Sequence, residues 1–133
     1  MSGVAIARAL MVANSTLLAT VPAARVISGV VPVGTAMPAI SVSEVSATQR
    51  LIVAMNASAY LVTERVQITA MAASYAQMKA VLALIRAALP LSRGTVGTFA
   101  CDSVLFDSEG PDFYDADALL HMGSVDYIVR FTR

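Results

Sequence analysis

The sequence predicts an α+β domain: an antiparallel sheet of about four strands with two main helices packed on one face, in the order α-β-β-α-β-β. Three observations carry this reading. Residues 60–71 and 124–131 alternate apolar and polar side chains with the two-residue period of a half-buried strand. Residues 74–90 repeat apolar positions at helical spacing between a capping serine and a closing proline. At 133 residues the chain makes one domain, 1–133, large enough for a core without disulfide or metal support.

A first helix is expected over 4–13, with Ile6, Leu10 and Ala13 at helical spacing and Arg8 to one side. Asn14-Ser15 interrupts it, and Ser15 is placed to cap a further turn through Leu17, Leu18 and Val21 that Pro22 ends. Glycines and prolines among small residues make 28–38 an extended connection. A first strand follows over 39–45, with Ile40 and Val42 on one face. In the second, 60–71, Val62, Val66, Ile68 and Ala70 point one way and Thr63, Arg65, Gln67 and Thr69 the other.

Between these strands, 46–58 contains an apolar run, Leu51-Ile52-Val53-Ala54-Met55, with two readings. It is a short extra strand on the same sheet, or an apolar loop that another subunit buries. The second helix is the best signalled element. Ser74 and Gln77 form its capping box and Pro90 closes it. Met78, Val81, Leu82, Ile85 and Leu89 make its apolar face, with Lys79 and Arg86 opposite. After a 94–97 linker come a third strand over 99–107 and a fourth over 124–131, where Val125, Tyr127, Val129 and Phe131 alternate with Asp126 and Arg130. Each strand pair is close enough in sequence to lie antiparallel.

The composition is unusual for a freely exposed domain. Apolar residues are 57% and charged ones 14%, with a mean hydropathy of +0.71. Typical soluble domains have about 45–50% and about 25%. Much of the excess is Ala and Val, yet too few charges remain to coat the surface, so cover by other subunits is expected. A membrane span, which needs about 20 consecutive apolar residues, fails on spacing. Arg8, Asn14, Ser15 and Thr16 interrupt the best candidate, 4–21, which also lacks the basic start of a signal peptide. Nine basic and nine acidic residues balance, so there is no electrostatic footprint for nucleic acid. With one cysteine and no export signal, a reducing, cytoplasmic site of synthesis is expected.

Little in the chain points to catalysis. Cys101 and His121 fall on or beside neighbouring predicted strands, and a thiolate–imidazole pair built on them is the weaker reading. A lone cysteine is ordinarily a small buried hydrophobe. Five of the nine acidic residues lie between 107 and 117: Asp107, Glu109, Asp112, Asp115 and Asp117. They offer oxygens for calcium but not the twelve-residue loop spacing, so a turn facing solvent or a partner is preferred. Glycines 29, 34, 94 and 97 show no phosphate-binding pattern, and no metal or other cofactor is expected.

Several phrases in this order resemble the tail-completion proteins of long-tailed bacteriophages and prophages, also called tail-terminator or tail-to-head joining proteins. They begin with the Ala/Leu-rich first helix broken before Leu17-Leu18, then Arg25-Val26-Ile27, the link to Pro38 and the strand Ile40-Ser41-Val42. Glu64-Arg65-Val66-Gln67-Ile68 leads into the capped helix 74–89. The more specific part is Asp107-Ser108-Glu109-Gly110-Pro111-Asp112-Phe113-Tyr114-Asp115 followed by Asp126-Tyr127-Ile128-Val129-Arg130-Phe131. The resemblance covers nearly the whole chain and says least over 46–58.

The resemblance implies a structural, non-enzymatic virion protein. Such subunits form rings, typically of six copies, at the head-proximal end of the tail tube, assembled in the bacterial host cytoplasm. There they stop tube growth and present a surface to the head connector. The implied partners are further copies of the chain, the tail-tube protein and the connector or neck protein, with no membrane and no sequence-specific nucleic acid. On this reading Leu51, Ile52, Val53 and Met55 pack on a neighbour or on the tube end. Asp112, Asp115 and Asp117 face a basic patch to which Arg50 and Arg65 are candidates. The rivals are a neck or head-completion protein of the same particle, a thiol hydrolase using Cys101 and His121, and a dimeric module with a small-molecule pocket beneath the second helix.

Overall fold

The computed structural model describes residues 2–51, 60–89, 92–96 and 99–132. Helix α1, Gly3–Val12, starts at Ser2, whose hydroxyl accepts the Ala5 N–H at 3.1 Å. Its buried face is Gly3, Ile6, Ala7 and Met11. Arg8 leaves that face, and its Nε–H donates to the Val26 carbonyl at 2.9 Å, tying the helix to the next strand. Helix α2, Ser15–Thr20, is capped by Asn14, whose side-chain oxygen accepts the Leu17 N–H at 2.9 Å. The cap therefore lies one residue before the expected Ser15. A single 3₁₀ turn, Ala23–Arg25, follows Pro22.

The expected sheet of about four antiparallel strands is too small and too regular. Seven described strands form one mixed sheet in the order β1-β2-β3-β7-β5-β4, with β6 pairing on β7 off that path. Strand β1, Val26–Ser28, runs parallel to β2, Ala39–Leu51, with Val26 opposite Ile40. It lies where only an extended connection was expected. Strand β2 runs six residues beyond the expected end at Val45, because its backbone pairs with β3, Tyr60–Ala72, as far as Leu51 opposite Tyr60. A bulge at Val45 interrupts that register.

Helix α3, Tyr75–Ala88, begins where Ser74 Oγ accepts the Gln77 N–H at 3.2 Å, as its capping box implies. Met78, Val81, Leu82 and Ile85 are buried, and Pro90 lies outside the described residues. Strands β4, Ser92–Val96, and β6, Phe113–Asp115, were not expected. Strands β5, Phe99–Glu109, and β7, Leu120–Thr132, extend the two that were.

The core lies between the three helices and one face of the sheet. Val62, Val66, Ile68, Val125, Tyr127, Val129 and Phe131 supply that face, as the alternation predicted. Helix α3 sits directly on β7 at Gly123. A Cβ there would come within 2.6 Å of Met78 Sδ and 2.9 Å of Leu82 Cδ1. The opposite face of the sheet has no described helix on it. It presents half-exposed Thr63, Arg65, Gln67, Thr69, Ser124, Asp126, Ile128 and Arg130. No described helix is long and apolar enough to cross a membrane.

Candidate functional site

The strands set two opposite ends. At one end the β2–β3 pair finishes at Leu51 and Tyr60, beside the β7 finish at Thr132. At the other lie the 29–38 connection, the hairpin tip over 110–117 and the start of β7, while Asp107 sits nearer the middle of the sheet beside Asp126. About ten strand residues separate the two ends, roughly 33 Å at 3.3 Å per residue.

Arg50 and Leu51 sit at the first end, with Leu51 56% exposed. Ile52, Val53 and Met55 lie outside the described residues. On the open face, Arg50, Arg130, Thr48, Thr63 and Leu61 line a shallow hollow of about 360 Å³. Neither arginine has an ion-pair partner among the described residues.

The acidic hairpin occupies the other end, and much of its charge is bound within the subunit. A bulge in β5 at Asp107 turns that carboxylate toward Arg65, which also reaches Asp126 at 3.2 Å across the open face. The Arg65 guanidinium holds the Asp107 carboxyl below the usual carboxylate range. Glu109 pairs with Arg86 at 3.2 Å, and that guanidinium stacks 4.2 Å over the Phe106 ring. Asp112 meets Lys79 at 2.8 Å and accepts the Tyr75 hydroxyl at 2.7 Å, and Lys79 foremost keeps its carboxyl low. Lys79 and Arg86, on the helix face opposite the apolar one, thus fasten the hairpin to α3. Asp115 Oδ1 accepts the N–H groups of Asp117 at 3.0 Å and Ala118 at 3.2 Å, closing a turn whose last residue, Leu119, has φ 57°. Asp117 has no side-chain partner among the described residues.

Cys101 and His121 do not meet. Cys101 lies opposite Phe131, ten residues along β7 from His121, again about 33 Å. Burial pushes the Cys101 thiol up, away from the reactive thiolate. His121 packs edge-on against Tyr114, ring centroids 4.6 Å apart, and against Tyr75 at 6.1 Å. The hydrolase reading loses its geometry.

One buried group escaped sequence reasoning. Glu64 is 1% exposed on the core face of β3 and accepts the Val4 N–H at 3.0 Å, at the start of α1. Gly3 is required there, because a Cβ would overlap the Glu64 carboxylate. Burial, then the hydrogen bond and charge of Glu44, push the Glu64 carboxyl up to about 7. The two-residue period of β3 from Val62 to Ala72 was the available signal, since it includes position 64.

Among curated proteins the chain has no match. Among solved structures it is similar to a chain of the virion of a native gene transfer agent (GTA) particle, with a TM-score of 0.70 and 17% identity over 99% of this chain and 96% of that one. That likeness shows a shared fold. The profile of the family described as tail completion protein gp17 matches residues 4–132. The chain belongs to the tail completion protein gp17 family, and is a structural protein of a phage tail located in the virion.

Proposed function

We propose that the chain forms a closed ring, typically of six copies, at the head-proximal end of the tail, where it ends tube growth and joins tail to head. The observation that carries this, beyond family membership, is the polarity of the subunit. An end with exposed Leu51 and with Arg50, unpaired among the described residues, and an end carrying Asp115 and Asp117 lie at opposite ends of one sheet. Two different patches in such an arrangement make a heterologous contact, which closes into a ring when the rotation allows.

Leu51, Ile52, Val53 and Met55 pack on the neighbour or the tube end, and Arg50 meets the acidic end of an adjacent copy. Arg65 is already held by Asp107 and Asp126, so its share is to position the hairpin. Asp112 is held likewise by Lys79 and Tyr75, which leaves Asp115 and Asp117 to face a partner. Exposed pairs of this kind contribute about 0–1 kcal/mol each, so they set orientation and register more than affinity. The protein acts by fit, without a catalytic step.

Electron microscopy of particles from a producer lacking the gene tests the proposal. Overlong tubes, or tails without heads, are expected. Complete, normal particles would overturn it. In the intact gene, Leu51→Asp with Ile52→Asp should abolish ring formation. Cys101→Ala should leave it unchanged.

A further inference from the structure

The 29–37 loop folds over the open face of the sheet and encloses a groove of about 840 Å³. Its lining is mostly apolar, from Val31, Val33, Met37, Met71, Leu120 and Met122, with Asp115 also on its wall. That volume lies in the upper part of the roughly 300–1,000 Å³ range of sites that enclose a whole organic ligand, so several side chains fit. Beside it Val30 is 90% exposed and Val33 106%. Apolar side chains projecting at the mouth of an apolar groove mark a surface made to be covered.

Resting on the ring reading, we infer that this groove receives the apolar β2–β3 end, residues 51–55, of a second copy of the chain. Leu51 is exposed and is followed in sequence by Ile52, Val53, Ala54 and Met55. A subunit cannot fill its own groove with them. Ser41 lines the groove, and Leu51 lies ten residues further along the same strand, about 33 Å away. Charge fits the same pairing. Arg50 precedes the apolar run and lacks an ion-pair partner among the described residues. Asp115 lines the groove and commits only Oδ1 to its turn, with Asp117 two residues on. A basic residue at the edge of the inserted end thus meets acidic residues at the edge of the groove. Donor and acceptor patches differ and occupy opposite ends, so each copy gives one contact and takes another.

Cysteine cross-linking in assembled particles tests this. In a Cys101→Ala background, Leu51→Cys and Val33→Cys are introduced singly and together, and particles are treated with a short bis-maleimide. The double variant is expected to give a ladder of covalent oligomers, and neither single variant should. Particles that contain the double variant and look normal by electron microscopy, but give no ladder, overturn the groove pairing and leave the ring reading standing. If the Cys101→Ala chain itself is absent from particles that are complete, the ring reading falls, and this inference with it. Independently, Arg50→Glu is expected to weaken assembly by about fivefold per contact, the equivalent of about 1 kcal/mol. Asp117→Arg in the same chain should restore it. A loss that this second change does not reverse, in chains that fold normally, counts against the pairing.

Discussion

Replacing Glu64 by Gln probes the least expected group in the core. Glu64 is almost fully buried, accepts the Val4 N–H at the start of α1, and lies against Glu44. Its carboxyl titrates near 7 in the folded chain against 4.5 when exposed. A carboxyl whose folded pKa is raised keeps its proton longer in the folded state. The Glu64 contribution to stability is therefore greatest below pH 4.5 and falls as pH rises from 4.5 toward 7. The difference of 2.5, at 1.36 kcal/mol for each, amounts to about 3 kcal/mol lost above neutrality. Gln keeps the acceptor for Val4, supplies a donor toward Glu44 and cannot ionise. Urea denaturation of both chains should show the variant more stable by about 3 kcal/mol near pH 8 and nearly equal near pH 4. Asp107 and Asp112, held low by their cations, act below this window, where stability is lost as pH falls. Parallel pH profiles for the two chains would refute the assignment.

Two further outcomes follow from the packing. Gly123→Ala should destabilise by about 1–3 kcal/mol, because its methyl group forces the packed Met78 and Leu82 side chains to shift, and the melting temperature should fall accordingly. Arg65→Ala should lower the urea midpoint, since it leaves half-buried Asp126, whose Oδ1 already lacks a partner among the described residues, without its counter-ion. Equal stability of variant and parent in either experiment would count against the contact concerned.

The elements legible in the sequence were those whose side chains report their surroundings. Strands β3 and β7 alternate because one face meets the helices, and α3 shows both its apolar stripe and its cap. Strands β1 and β6 are three residues long and exist by backbone pairing, which leaves no side-chain period to read. The outer half of β2 is similar. From Glu44 onward it is exposed on both faces, so Ser46 to Arg50 show no apolar alternation although the ladder to β3 continues. The acidic hairpin was visible as composition, but its partners Arg65, Lys79 and Arg86 come from two other elements that only the fold brings near. The groove was hidden for the same reason. Its walls are a loop and segments of β2, β3, β6 and β7 drawn from across the chain.

The position of β7 has a consequence for how the sheet is held together. It follows every other described strand, yet lies between β3 and β5 and carries β6 as well. Without it, the earlier described strands fall into β1–β2–β3, β4–β5 and an unpaired β6, with no ladder joining them. Long-range pairing of this kind makes folding a late, collective event. A chain that lacks β7 therefore lacks the central ladder that ties the β2–β3 pair to the acidic hairpin.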